Sequence, residues 1–279
     1  MSKLPEGPGP IGIFDSGYGG LTILEGIRRR MPQYDYVYLG DNARAPYGTR
    51  SFDLVYEFTR QAVQHLFQQG CHLVVLGCNT ASAKALRSIQ QHDLPGIDPN
   101  RRVLGIIIPT AEVIGSLTTT GHVGILATEG TIRSKSYNME IAKRHPGLKV
   151  TGVACPMWVP LVENNEAGGP GADYFVKKSL EQLMEADPLI DAIILGCTHY
   201  PILLPKIEQF KRPGVKVVCQ GAYVAESLAD YLLRHPEMEA RCSKGGGVRY
   251  LTTENAEKFS NSAQLFLNED VAAERIDLG

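Results

Sequence analysis

Two kinds of segment alternate along the chain. Short, nearly continuous apolar runs are separated by longer stretches in which apolar side chains recur every three or four residues. The runs lie at Ile11 to Phe14, Tyr36 to Gly40, His72 to Gly77, Val103 to Ile108, His122 to Ala127, Val150 to Ala154, Asp191 to Gly196, Val215 to Cys219 and Val248 to Thr252. An unbroken apolar run suits a strand buried on both faces. Between Ser51 and Gln69, Val55, Phe58, Ala62 and Leu66 instead trace one stripe of a helix. Strand and helix in alternation predict an α/β fold built on mainly parallel sheets covered by helices, with binding sites at the carboxyl ends of strands.

One run repeats. Leu73-Val-Val-Leu-Gly-Cys78-Asn79-Thr80 is echoed by Ala192-Ile-Ile-Leu-Gly-Cys197-Thr198-His199, and each copy leads into a helical pattern, Ala81 to Gln90 and Ile202 to Phe210. The echo predicts two pseudo-symmetric α/β domains with the active site in the cleft between them. The length of 279 residues accommodates two domains of ordinary size. The proline-rich segment Pro95 to Pro99 and a turn at Pro109 place the exit from the first domain near residue 108. The strand at Val215 to Cys219 then starts a C-terminal segment that completes it. The expected division is 1–108 plus 215–279 for the first domain and 109–214 for the second.

Composition removes several classes. Hydrophobic residues make up 43% and charged residues 21%, which excludes disordered, collagen-like and coiled-coil chains. Lysine and arginine number 28 against 30 acidic residues, so no basic footprint for nucleic acid exists; Arg28-Arg29-Arg30 reads as a solvated helix end. Met1 to Pro10 lacks the apolar core of a signal peptide, and no apolar stretch is long enough to span a membrane. The six cysteines, at 71, 78, 155, 197, 219 and 242, form no close-spaced disulfide or zinc pattern and read as reduced thiols of a cytoplasmic protein.

Two of those thiols carry the chemistry. A cysteine acts as base or nucleophile through its thiolate, which a strand-to-helix turn favours. Cys78 and Cys197 occupy matched turns of this kind, whereas Cys71, Cys155, Cys219 and Cys242 read as packing residues. The turn Asp15-Ser16-Gly17-Tyr18-Gly19-Gly20 offers backbone N–H groups to an anion, yet it matches neither nucleotide-binding glycine motif; Asp15 itself suits an ammonium group or a proton. Gly40 to Gly48 brings backbone groups and the Tyr47 hydroxyl toward a small polar substrate, and Glu163 and His199 are titratable groups able to tune the thiols. Inverting a carbon stereocentre needs a base on one face and an acid on the other, with the roles exchanged in reverse. Paired thiols across a cleft fit a cofactor-free racemase. A thiol hydrolase or redox enzyme using one cysteine, and a binding module that keeps the cleft, are the readings from other classes.

The motifs Asp15-Ser-Gly-Tyr-Gly-Gly-Leu-Thr22, Asp41 to Thr49, Cys78-Asn-Thr-Ala-Ser-Ala83, Cys155-Pro156 to Glu163 and Leu195-Gly-Cys197-Thr-His-Tyr-Pro201 together resemble glutamate racemase, in order, over roughly residues 11 to 205. The resemblance implies interconversion of L- and D-glutamate without pyridoxal phosphate or metal, supplying D-glutamate for peptidoglycan. Aspartate or another amino acid of the same superfamily is the close alternative substrate. It implies that Cys78 takes the α-proton of D-glutamate and Cys197 that of L-glutamate, with Asp15, Glu163 and His199 as auxiliary acid/base residues. Asp15-Ser16, Tyr47-Gly48, Asn79-Thr80 and Thr198-His199 match the substrate-holding pairs, and a homodimer is expected. The chain departs from the pattern at Gln220-Gly221, where Asp-Ser is common, at Asn42, where Thr is frequent, and at Ile108, where a charged residue often stands.

Overall fold

The computed structural model describes residues 4–279; Met1 to Lys3, part of the opening segment considered above, lie outside the described residues. The strands among these residues are β1 (Ile11–Asp15), β2 (Tyr36–Gly40), β3 (Leu73–Leu76), β4 (Arg102–Gly105), β5 (His122–Ala127), β6 (Lys149–Ala154), β7 (Ala192–Gly196), β8 (Lys216–Val218), β9 (Val248–Thr252) and β10 (Ala273–Arg275). They form two sheets, ordered β10-β9-β2-β1-β3-β4 and β6-β5-β7-β8, and every pairing is parallel. Every residue of β1, β2, β3 and β7 is buried, which is why these segments read as apolar runs rather than as alternating patterns.

The sequence echo is a repeat of topology. In the first sheet the first four strands lie in the order β2-β1-β3-β4, and in the second β6-β5-β7-β8 repeats that order strand for strand. After the first strand of each set the chain moves to one side, and after the second it crosses to the other. A crevice therefore opens at the carboxyl ends between β1 and β3, and again between β5 and β7, where α/β sheets bind ligands. Cys78 follows β3 and Cys197 follows β7.

Helices cover the sheets as the stripes require. The helix Phe52–Gln68 buries Val55, Ala62 and Leu66, and Ser51 caps it by accepting the Leu54 N–H at 3.3 Å. Phe58 lies half-buried against the Tyr47 ring. Arg28, Arg29 and Arg30 end the helix Leu21–Arg30 and pair with Glu269, Glu25 and Glu226 at the surface.

Three expectations are corrected. The strand read at Val215 to Cys219 belongs to the second sheet, because Lys216–Val218 pairs with β7, the strand before it in the chain, and so extends that sheet past residue 215. The run Val103 to Ile108 is a strand only to Gly105. Ile107–Leu117 is already helical, and Pro109 stands in its first turn, where a missing N–H costs nothing. After Cys197 the chain makes a turn of 3₁₀ helix, Tyr200–Leu203, before the α-helix Leu204–Phe210. The edge strand β10, exposed and without alternation, had no sequence signal.

Candidate active site

The two crevices face each other across one cavity of about 140 Å³. Cys78 and Cys197 line it together with Ser16, Tyr47, Gly48, Asn79, Thr80, Glu163, Thr198 and His199. Asp15 lies behind this lining at the end of β1, 1% exposed. The structure thus gathers every residue singled out from the sequence at one site.

On the first wall, Cys78 is the N-cap of the short helix Asn79–Lys84: its Sγ accepts the Ala81 N–H at 3.5 Å and lies 3.5 Å from Ser16 Oγ. Burial, reinforced by the carboxyl of Asp15, pushes the Cys78 thiol up to about 12, against the opposing pull of Ser16 and the Ala81 N–H. Asp15 accepts the Gly17 N–H on Oδ2 at 2.9 Å, while its Oδ1 is buried without a hydrogen-bond partner. Burial also raises the Asp15 carboxyl above its ordinary range, although the His199 charge pulls the other way. This wall therefore holds a protonated thiol beside a carboxyl group with an unused oxygen.

The opposite wall is differently wired. His199 stands between Cys197 and Glu163, with Nδ1 3.9 Å from Cys197 Sγ and Nε2 2.9 Å from Glu163 Oε1. Burial would push the imidazole down, but the thiol and carboxylate partners outweigh it and raise His199 to about 10. The imidazolium is the charged form at neutral pH and sits against the Cys197 sulfur. Glu163 comes from the end of the helix Trp158–Glu163 and remains 27% exposed on its side chain. Gly19 makes the approach of the two walls possible: a Cβ there would lie 2.3 Å from Thr198 Oγ1 and 2.4 Å from His199 Nδ1.

Tyr47 differs from expectation in one respect. Tyr47 lines the cavity, but its hydroxyl donates to the fully buried carboxylate of Asp41, which also accepts from Arg44 at 2.7 Å and Thr253 at 2.9 Å. The phenol is thereby used to hold the loop, leaving the backbone of Tyr47-Gly48 at the cavity. Cys155, read as packing, is 2% exposed yet lines the cavity, and Thr128 joins it there by meeting Thr80 Oγ1 at 2.9 Å. Thr128 follows β5 as Ser16 follows β1, so the topological repeat is the signal that would have found it. Among the described residues no group of three or more His, Cys, Asp and Glu side chains converges as a metal ion requires.

The profile of the Asp/Glu/Hydantoin racemase family matches residues 21–228. The glutamate racemase of Ruegeria sp. (strain TM1040) is 39% identical over 95% of this chain and 98% of its own length. The chain belongs to this racemase family. Solved members share its fold: a glutamate racemase isoform of Bacillus anthracis superposes with a TM-score of 0.88 at 32% identity, covering 97% of this chain and 98% of its own. The Francisella tularensis glutamate racemase, determined in complex with D-glutamate, gives 0.86 at 30% identity, over 97% and 98% of the two chains. The motif resemblance and the two-sheet α/β architecture are both borne out by these relatives.

Proposed function

We propose that this chain is a glutamate racemase that inverts Cα between two thiols, without a cofactor. The observation that carries the reading is the pair Cys78 and Cys197, placed after equivalent strands of the two sheets and opening on one cavity. From L-glutamate, Cys197 as thiolate takes the α-proton and leaves a carbanion delocalised into the adjacent carboxylate. Cys78 then delivers its own proton to the opposite face, giving D-glutamate, a Cys197 thiol and a Cys78 thiolate; the reverse reaction exchanges the roles. The surroundings support this starting state, with a protonated Cys78 on one side and an imidazolium against Cys197 on the other. Asp15 and the His199–Glu163 pair are the auxiliary groups that accept and return protons at each thiol. Ser16, the Tyr47-Gly48 backbone, Asn79, Thr80 and Thr198 hold the carboxylates and the ammonium group.

The reading carries four further statements. D-glutamate made here supplies peptidoglycan, the protein works in the cytoplasm, and it assembles as a homodimer. No described helix is long and apolar enough to cross a membrane. The chain divides into a first unit up to residue 108, resumed after β8, and a second from 109 through Val218, a division supported by sheet membership.

The test is proton NMR of the purified protein with L-glutamate in D₂O, with circular dichroism following chirality. Loss of the Cα–H signal with decay of ellipticity to zero is expected, and Cys78→Ser and Cys197→Ser should each slow it by roughly 10²- to 10⁴-fold. Turnover of aspartate in place of glutamate keeps the two-thiol chemistry and replaces the substrate. Near-normal turnover in either serine variant overturns the role of that thiol.

A further inference from the structure

Gln220 belongs to no motif of the site. It lies immediately after β8, 3% exposed, at the start of the helix Gly221–Arg234. Its side-chain amide closes a ring with two other buried side chains. Asn79 Nδ2 donates to Gln220 Oε1 at 2.7 Å, Gln220 Nε2 donates to Tyr137 OH at 2.8 Å, and Tyr137 OH donates to Asn79 Oδ1 at 2.6 Å. The ring alone would also close with both amides turned over, and the Ile106 carbonyl, 3.1 Å from Gln220 Nε2, selects this polarity because it can only accept. Tyr137 has a single proton, which goes to Asn79, so its oxygen accepts from Gln220; the Gln220 carbonyl is then left for the Asn79 amide. Gln220 Nε2 also reaches Thr110 Oγ1 at 3.0 Å.

The members of the ring come from distant parts of the fold. Asn79 opens the helix capped by Cys78, Tyr137 lies on the helix Ser136–Arg144 of the second unit, and Gln220 stands where the chain leaves the second sheet. Ile106 and Thr110 flank the earlier passage from the first sheet to the second. One amide therefore ties both passages between the sheets to the residue next to Cys78. An aspartate at this position would be a methylene shorter and, when ionised, unable to donate to Tyr137 or Ile106.

We propose that Gln220, with Tyr137, is a positioning residue for the Cys78 side of the reaction: it locks the Asn79 amide and so sets the turn from which the Cys78 sulfur meets Cα. The proposal rests on the two-thiol reading above. It predicts a lesion centred on the Cys78 half of the chemistry, because Asn79 adjoins Cys78 and no member of the ring is hydrogen-bonded to Cys197 or His199; Gln220→Met is the cleaner variant, since Tyr137 also packs near Gly196 beside Cys197. A fully satisfied buried network of this kind holds one geometry, and a gap in it lets the turn relax.

The variants are Gln220→Met, close in size but unable to hydrogen-bond in the ring, and Tyr137→Phe, which removes one hydroxyl. Thermal melts establish that each is folded. Both should lower kcat at least tenfold. The α-deuterium isotope effect should rise with labelled D-glutamate, whose deuteron Cys78 takes, and fall with labelled L-glutamate. Independently of turnover, peptide mapping after iodoacetamide should show the Cys78-to-Cys197 labelling ratio changed at least threefold. Unchanged isotope effects in both directions, or equal changes at both thiols in a folded variant, overturn the proposal. If the unmodified chain fails to racemise glutamate, the earlier reading falls instead, and the labelling ratio decides whether the ring governs Cys78. Should Gln220→Met not fold, Tyr137→Phe carries the same two readouts.

Discussion

At the scale of single residues, the two walls of the cavity are equivalent in topology and opposite in electrostatics. Cys78 is buried beside a carboxyl group, while Cys197 is paired with an imidazole that Cys197 itself and then Glu163 keep charged against the pull of burial. That charge makes stability depend on pH with a definite sign. His199 rises from 6.5 to about 10 on folding. Below pH 6.5 the folded and unfolded chains are both protonated and the stabilisation is fully present. As pH climbs toward about 10 the unfolded chain releases a proton that the folded chain keeps, and the contribution drains away. The melting temperature should therefore fall between about pH 7 and pH 10, and Glu163→Gln, which removes one of the raising partners, should flatten that slope. Identical slopes in the two proteins would show that Glu163 does not hold the imidazolium. Cys78, Cys197 and His199 were legible in the sequence because their motifs are local. Gln220, Thr128 and the Asp41 grip on Tyr47 were not, since each depends on a partner that only the folded chain brings near.

The secondary-structure elements show a similar division between local and distant information. Buried strands write themselves into the sequence as apolar runs, so the expected and observed limits of β2, β5 and β9 coincide. Which sheet a run joins is not written there: the run at Val215 to Cys219 suits either sheet by composition, and only its pairing with β7 assigns it to the second. Helix packing contains another unwritten feature. The helix Leu21–Arg30 meets the helix Gly221–Arg234 where Gly26 faces Gly221, and a Cβ on Gly26 would stand 2.8 Å from the Gly221 carbonyl oxygen. That obstacle is backbone and cannot swing aside. Gly26→Ala gains about 1 kcal/mol of helix propensity but forces the two helices apart, and overpacking against backbone costs up to about 3 kcal/mol, leaving a net loss of up to about 2 kcal/mol. Urea denaturation should show a lower midpoint with an unchanged slope. An equal or higher midpoint would mean that the helices separate at no cost.

For the whole molecule, the question is how a substrate reaches a cavity of about 140 Å³ whose two walls are joined above it. Gly130 N–H donates to Gly48 O at 2.8 Å, and Thr80 and Thr128 share a hydrogen bond of 2.9 Å, so both units hold the rim in common. Parting of these contacts would widen the entrance, and their return would expel water from around a weakly acidic Cα–H. Gly48 is the position at which this can be tested, because a Cβ there would lie 2.9 Å from Thr128 Cβ and 3.1 Å from its methyl. Gly48→Ala props the rim open without touching either thiol, and a misplacement of the walls on the ångström scale lowers kcat/KM by about tenfold to a hundredfold. Thr128→Gly removes the colliding atoms, and glycine serves acceptably as N-cap of the helix Glu129–Ser134. The double variant should therefore recover part of what Gly48→Ala loses, although Thr128→Gly alone impairs the enzyme by deleting the Thr80 partner. Simple multiplication of the two single losses in the double variant would mean that the sites act independently and that rim closure is not the step they share.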